Sequence, residues 1–154
     1  MGRNAQEWLE HDYPREGVYQ GGITNHYNFG KRRNEVEKID IWAWNWLEGS
    51  LKLEGFDNLK ELICWGNNLT ELDLTGAPKL VRVIANNNKL TNLKINGLAE
   101  LEELDCSNNQ LTELDINGCH KLLSLKANGN SNLDTFNLYQ QTILHNEWAH
   151  GWYR

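Results

Sequence analysis

The sequence predicts an α/β solenoid, and three regularities support that prediction. The first is an internal period of 21 residues, visible in the column Leu59, Leu80, Leu101 and Leu122. The second is an alternation within each repeat that sends Leu104 and Cys106 to one face of a short strand. The third is an asparagine that recurs at one point of each repeat, as Asn67, Asn88, Asn109 and Asn130. Because one repeat is too short to bury its own apolar face, we expect stacked repeats to share one core.

A period of 20–29 residues with the pattern L-x-x-L-x-L-x-x-N-x-L is typical of a leucine-rich repeat solenoid. We therefore expect about five coils of roughly 21–23 residues, with a parallel sheet on the concave side and short turns on the convex side. Each column asparagine stands where the chain leaves the strand, so its amide can bond backbone groups of neighbouring coils. Gly76, Gly97 and Gly118 also share a column, which predicts a turn position with positive φ.

The 154 residues are enough for one domain with a real core. Asn4 and Glu7 form a capping box ahead of a helical stretch that stops before Pro14. Residues 16–35 have no period yet contain several aromatic side chains, which is more typical of a functional loop than of disorder. The single domain 1–154 therefore divides into an N-terminal helical cap (4–14), an inserted loop (16–35), repeats (36–138) and a C-terminal cap (139–154).

The formal net charge of −6 disfavours nucleic acid or an anionic membrane as the main partner. We expect the local basic run at Lys31, Arg32 and Arg33 to be solvated. Cys64 and Cys106 lie two strands apart in one inward column, so their Cα atoms should be about 10 Å apart, too far for a disulfide bond. We therefore expect the cysteines to be small core residues. The sequence shows no long apolar run and no signal peptide, so we expect a cytoplasmic protein that is monomeric when free.

The run L-D-C-S-N-N-Q-L-T-E-L-D-I at 104–116 resembles fungal and bacterial leucine-rich repeat proteins built on near-identical L-x-x-L-x-C-S-N-N-x-L-T-x-L-D-L units. The flanks at 4–14 and 47–56 are similar to the capping segment of a fungal branch of that family. This resemblance implies a protein-interaction module and transfers no catalytic residue; the insertion at 16–30 departs from the family. A regular scaffold with one aromatic patch is also what the engineering of a binder would produce, and the sequence leaves natural or engineered origin open.

Departures from the repeat predict where the molecule binds. Outward strand positions line the concave face, the usual binding surface of solenoids. These positions are polar in the coil at 101–122, whereas the first three coils place Trp42, Ile63, Trp65 and Ile84 there. Exposed apolar side chains add nothing to the stability of a scaffold, so a contiguous apolar patch indicates an occupant.

We predict that this occupant is another protein and that the chain is a non-catalytic recognition module. Tryptophan, tyrosine and arginine are typical of the residues that dominate binding at protein interfaces. The expected primary contacts are Trp42, Trp65, Ile63 and Ile84, and the secondary ones are Trp44, Arg82, Tyr27 and Phe29. Two alternatives stay open: a lectin-like carbohydrate site that uses exposed indoles, and a self-packed scaffold whose inserted loop covers the patch with side chains such as Tyr19.

No residues have the spacing of a catalytic or metal centre. The segment His145-Asn146-Glu147-Trp148-Ala149-His150 differs from H-E-x-x-H because its histidines are five apart, which separates them by about 140° around a helix. Glu147 and His150 could share a metal with a third group, although a solvated face of the cap is the favoured interpretation. We therefore predict no enzymatic activity, no cofactor and no bound metal.

Overall fold

The computed structural model of the chain describes residues 2–19, 25–41 and 46–144, with side chains as far as residue 139. Within these ranges the chain coils between two parallel sheets. The five-stranded sheet, in spatial order, consists of β2 (Lys38–Asp40), β4 (Glu61–Ile63), β6 (Arg82–Ile84), β8 (Glu103–Asp105) and β9 (Ser124–Lys126). The four-stranded sheet consists of β1 (Arg3–Asn4), β3 (Leu47–Lys52), β5 (Asn68–Asp73) and β7 (Asn92–Lys94).

The five-stranded sheet joins successive repeats in register, as the 21-residue period predicts. Ile39 pairs with Leu62, Leu62 with Val83, and Val83 with Leu104. All four side chains are buried, because alternation turns the middle residue of each short strand inward. The inward column thus forms a continuous core, and the predicted parallel solenoid is confirmed.

The column asparagines bond the backbone of neighbouring coils, also as predicted. The Asn109 carbonyl oxygen accepts a hydrogen bond from the Leu90 N–H at 2.9 Å, and its amide donates to the carbonyls of Ala85 and Cys106, both at 3.1 Å. Its side chain is only 6% exposed, so these backbone groups have no access to water. The same arrangement recurs at Asn67, Asn88 and Asn130. Each asparagine therefore fastens its coil to the preceding one.

The glycine column is only partly as expected. Gly97 and Gly118 have positive φ values of 80° and 83°, but Gly76 does not share them. At Gly76 the requirement is space, because a Cβ atom would approach the Leu53 carbonyl oxygen to 1.9 Å. The prediction of a positive φ at Gly76 was therefore wrong, although glycine is still required there.

The four-stranded sheet lies where the sequence analysis expected only short turns. Leu72 pairs with Leu51 and Leu93 in parallel register, with an irregularity between Gly49 and Ser50. Because return segments stack at the same period as the predicted strands, their backbone groups can also pair from coil to coil. The solenoid is therefore built on two parallel sheets in its first three coils.

Two helices flank the sheets. Helix α1 (Ala5–Asp12) begins at the Asn4 cap, whose side chain accepts a hydrogen bond from the Glu7 N–H, and it buries Ala5, Trp8 and Leu9 in the core. Helix α2 (Thr135–Leu144) begins inside the range assigned to repeats and ahead of the expected cap at 139. Neither helix in the described ranges is both long and apolar enough to cross a membrane.

Candidate functional site

The outward side of the five-stranded sheet carries an apolar pair between charged residues. Ile63 and Ile84 are register partners on neighbouring strands, and both are half-buried. On the next strand to either side, Asp40 is the register partner of Ile63 and Asp105 is the register partner of Ile84, so the four residues form one outward column across the sheet. The predicted isoleucine contacts therefore lie together, in the centre of a column with a carboxylate at each end.

The Trp65 side chain is 42% exposed just beyond the end of β4. The next residue, Gly66, has a φ of 68°, a conformation that glycine adopts without strain. The turn therefore accounts for a glycine directly after the indole. The other two predicted indoles, Trp42 and Trp44, lie outside the described residues.

A chain of ion pairs runs along the neighbouring outward column. The Lys38 ammonium lies 2.5 Å from a Glu61 carboxylate oxygen, and Arg82 lies 3.6 Å from Glu61 and 2.8 Å from Glu103. The hydrogen bond to Glu103 and the nearby carboxylates raise the pKa of Arg82. Arg82, predicted as a secondary contact, is thus already engaged within the chain, so it would meet a partner as part of an ion-paired rim.

The inserted segment covers the outer edge of strand β2. The Asn25 side chain accepts a hydrogen bond from the Asp40 N–H at 2.8 Å and donates one to the Asp40 carbonyl at 3.1 Å. The Asn28 amide donates to the Lys38 carbonyl at 2.7 Å. An edge strand without such partners would expose a row of unpaired backbone groups. The described part of the insertion therefore closes the sheet laterally.

Tyr27 and Phe29, the remaining predicted contacts, differ in their surroundings. Tyr27 is 37% exposed, and its hydroxyl donates to the Asn25 carbonyl oxygen at 2.9 Å. Partial burial, followed by the charges of Asp40 and Glu61, raises its pKa. Because the same Asn25 oxygen accepts a hydrogen bond from the Asp40 N–H, the tyrosine hydroxyl lies beside β2. Phe29 is 71% exposed. Neither side chain removes Trp65 from solvent.

Tyr19 and Arg33 depart from their predicted surroundings. Tyr19 stacks on Tyr13 with ring centroids 4.5 Å apart, so it fills the N-terminal end of the core and does not lie over the patch. Arg33 is buried and was not expected to be. Its guanidinium donates to the carbonyls of Tyr13 and Glu54 and to the Glu10 carboxylate, because a buried cation requires several partners. These contacts fix the insertion to helix α1.

Trp46 is an exposed aromatic residue that the sequence analysis did not select. Its side chain is 64% exposed, and its φ of 49° lies in the left-handed region. The other described non-glycine residues with positive φ are Asn87 and Asn108, and asparagine tolerates this conformation better than a bulky aromatic residue does. Strained, exposed side chains are common at functional sites. The sequence signal was the alternation of Trp42, Trp44 and Trp46.

The cysteines lie in the core and away from this surface. Cys64, Cys106 and Cys119 are all buried and free. Burial raises the pKa of the Cys64 and Cys106 thiols to about 12. They are therefore protonated at neutral pH. Their burial agrees with the prediction that they are small core residues. Among the described side chains no group of three or more histidine, cysteine or acidic residues could hold a metal, and the segment with His145, Glu147 and His150 lies outside them.

The fold and this surface define a parallel β-solenoid with a partly open apolar patch on its five-stranded sheet. Searches of protein-family models and of curated proteins returned no match. A comparison with solved structures returned the functional domain of InlJ from Listeria monocytogenes, described as including a cysteine ladder. The chains are 16% identical with a TM-score of 0.25, and the alignment covers 74% of this chain and 38% of that chain. This chain thus spans well under half of the InlJ chain.

Proposed function

We propose that the chain is a non-catalytic recognition module that binds another protein through the N-terminal half of the five-stranded sheet. The observation that supports this proposal most directly is the outward pairing of Ile63 with Ile84 next to the partly exposed Trp65 indole. Apolar and aromatic side chains in the centre of a surface, surrounded by charged residues, are typical of the energetic core and rim of a protein interface. The expected contacts are those named from the sequence, and Trp46 joins them.

The preformed ion pairs also favour a protein partner. Lys38, Glu61, Arg82 and Glu103 are held by one another, so little side-chain entropy remains to be lost when a partner covers them. Such a rim excludes water from an apolar centre while contributing little energy of its own. The surface thus has a small apolar centre beside an ordered polar border.

A non-catalytic role fits the state of the thiols. The thiols of Cys64, Cys106 and Cys119 are the strongest intrinsic nucleophiles among the described side chains, but burial raises the pKa of all three and keeps them protonated. Cys64 and Cys106 lie on the inward side of the sheet, opposite the patch. We therefore assign the patch to binding alone.

A carbohydrate ligand is the second candidate, because a partly exposed indole such as Trp65 can stack on a sugar ring. A glycan array and the fluorescence of the tryptophans distinguish the two candidates. A protein-binding surface gives no reproducible glycan signal and no emission shift with added sugar. A specific glycan signal that disappears in Trp65→Ala would replace the proposal.

Methyl NMR tests the protein-binding proposal at the patch itself. Ligand domains would be selected against the full chain from a displayed protein library, and the best would be titrated into protein labelled at isoleucine methyl groups. We expect the Ile63 and Ile84 methyl resonances to shift, because they meet the ligand directly. The buried Ile95 and Ile116 serve as internal controls and should stay in place. Shifts confined to other regions for every selected ligand would contradict the proposal.

A further inference from the structure

The Asp40 carboxylate differs from the other carboxylate in its column. One of its oxygens, Oδ1, is enclosed and has no hydrogen-bond partner in the part of the chain that the structure describes. Its other oxygen, Oδ2, is not enclosed in this way, and the residue as a whole is half-buried, so a ligand would meet the carboxylate through Oδ2. A charged group that has lost part of its hydration without a compensating partner is energetically costly.

Asp105, the matching residue at the other end of the apolar pair, is satisfied locally. Its Oδ1 accepts hydrogen bonds from the Ser107 N–H at 3.1 Å and from the Ser107 hydroxyl at 2.6 Å. The neighbouring cations do not compensate Asp40 either, because Lys38 and Arg82 are paired with glutamates of the adjacent column. Asp40 is therefore the carboxylate on this face that an external cation would stabilise most.

Tyr27 and Ile63 are neighbours of Asp40 on this face. Tyr27 approaches from the insertion, where Asn25 accepts hydrogen bonds from both the tyrosine hydroxyl and the Asp40 backbone. Ile63 follows Asp40 in register on the next strand. A carboxylate, an aromatic ring and an aliphatic side chain together suit the ammonium or guanidinium head and the methylene stem of lysine or arginine.

We propose that the partner inserts a lysine or arginine side chain into a subsite formed by Tyr27, Asp40 and Ile63, next to an apolar residue that covers Ile63 and Ile84. This inference rests on the proposed function and specifies the chemistry of the partner. The charge is complementary to a chain whose formal net charge is −6. The occupant is therefore a basic segment of a protein with an apolar side chain beside the cation.

A random peptide library displayed on phage, about 12 residues long, tests this chemistry when panned against the full chain. Enriched peptides should contain lysine or arginine within a few positions of an aliphatic or aromatic residue. For the best peptide, Asp40→Asn should weaken binding at least about tenfold. At high salt the original protein and Asp40→Asn should differ much less in affinity, because the contact is electrostatic. The matched control Asp105→Asn, in the same column, should change affinity less than about twofold.

Trp65→Ala separates the failure of this inference from the failure of the proposed function. The selected peptides could bind Trp65→Ala more weakly and yet show no enrichment in lysine or arginine and bind Asp40→Asn normally. That result would overturn the cationic subsite but would still support the binding module. A library whose binders are all indifferent to Trp65→Ala, or that yields no binder, would contradict both. Unfolding curves of each variant exclude loss of the fold as the cause.

Discussion

The Asn25 side chain pairs with the backbone of Asp40 through two hydrogen bonds, one accepted from the N–H at 2.8 Å and one donated to the carbonyl at 3.1 Å. Asp40 lies on the outermost strand of the five-stranded sheet. A side chain from outside the repeats thus supplies the partners that another strand would supply. The insertion becomes part of the sheet edge, and it brings Tyr27 to the proposed binding surface.

Asn25→Ala should destabilise the protein by about 1–3 kcal/mol, because it leaves a backbone donor and acceptor of Asp40 without partners. Urea unfolding measures this loss, and hydrogen exchange at the Asp40 amide should accelerate more than exchange at the Leu62 amide. Asn34→Ala is the matched control, since the Asn34 side chain is exposed. Equal stability of the two variants would show that the pairing is unimportant.

Asn109→Ala should cost about 2–4 kcal/mol, because the buried Leu90 N–H is left without a partner. The carbonyls of Ala85 and Cys106 also lose one hydrogen bond each, although Asn88 and Asn130 still donate to them. The change should appear as a lower midpoint in chemical denaturation with a similar slope. Gln110→Ala changes the adjacent, exposed residue and should be nearly neutral. A loss below about 0.5 kcal/mol in Asn109→Ala would contradict the fastening role of this column.

Trp46→Asn should stabilise the chain, by about 1 kcal/mol, because asparagine adopts the left-handed φ of 49° at lower cost and the exposed indole makes little packing contribution. Thermal and urea unfolding measure the gain. Trp46→Phe keeps a bulky side chain and should leave stability nearly unchanged. Destabilisation by Trp46→Asn would show that the indole supports the fold, and Trp46 would then be withdrawn from the expected contacts.

Alkaline pH should destabilise the protein through its buried thiols. Unfolded cysteines titrate near pH ~8.5, whereas burial raises the folded pKa of Cys64 and Cys106 to about 12 and that of Cys119 to about 11. Below the unfolded pKa the two states bind the same thiol protons. As the pH rises from ~8.5 towards the folded values, only the unfolded state loses them, so stability falls.

Unfolding free energies measured between neutral pH and pH ~10.5 test this dependence. Cys64→Ala should make the alkaline decline shallower, by at most about 1.4 kcal/mol per pH unit, because one group no longer titrates. Alanine already occupies the equivalent inward position at Ala85, so the variant should fold. An unchanged decline, or rapid reaction of the native thiols with a thiol reagent at pH ~8, would contradict this account.

The repeats could be predicted from the sequence because each structural position occurs several times. Leu104 and Asn109 have equivalents 21 residues away on either side, so shared surroundings show as shared residue types. The ion pairs from Lys38 to Glu103 could also be predicted from the repeat, because opposite charges alternate along one column. We predicted Arg82 alone as a contact and did not extend the prediction to its ion-pair partners.

The insertion had no such internal comparison. Asn25, Asn28 and Arg33 acquire their roles from contacts with distant parts of the chain, and no second copy of the segment reveals them. A basic run beside glycine and asparagine looks solvated until folding buries one guanidinium against Glu10. The four-stranded sheet was missed for a related reason, since backbone pairing between return segments leaves little trace in side-chain pattern.

The most direct test of the central claim is the affinity of Trp65→Ala for a selected protein ligand, measured by calorimetry beside its thermal unfolding. The account predicts that binding weakens by about 2 kcal/mol or more while the melting temperature stays nearly unchanged, with Ile63→Ala behaving similarly. Phe136→Ala removes a more exposed aromatic group from helix α2 and should bind normally. Unchanged affinity in Trp65→Ala, or a fall of many degrees in its melting temperature, would contradict the claim.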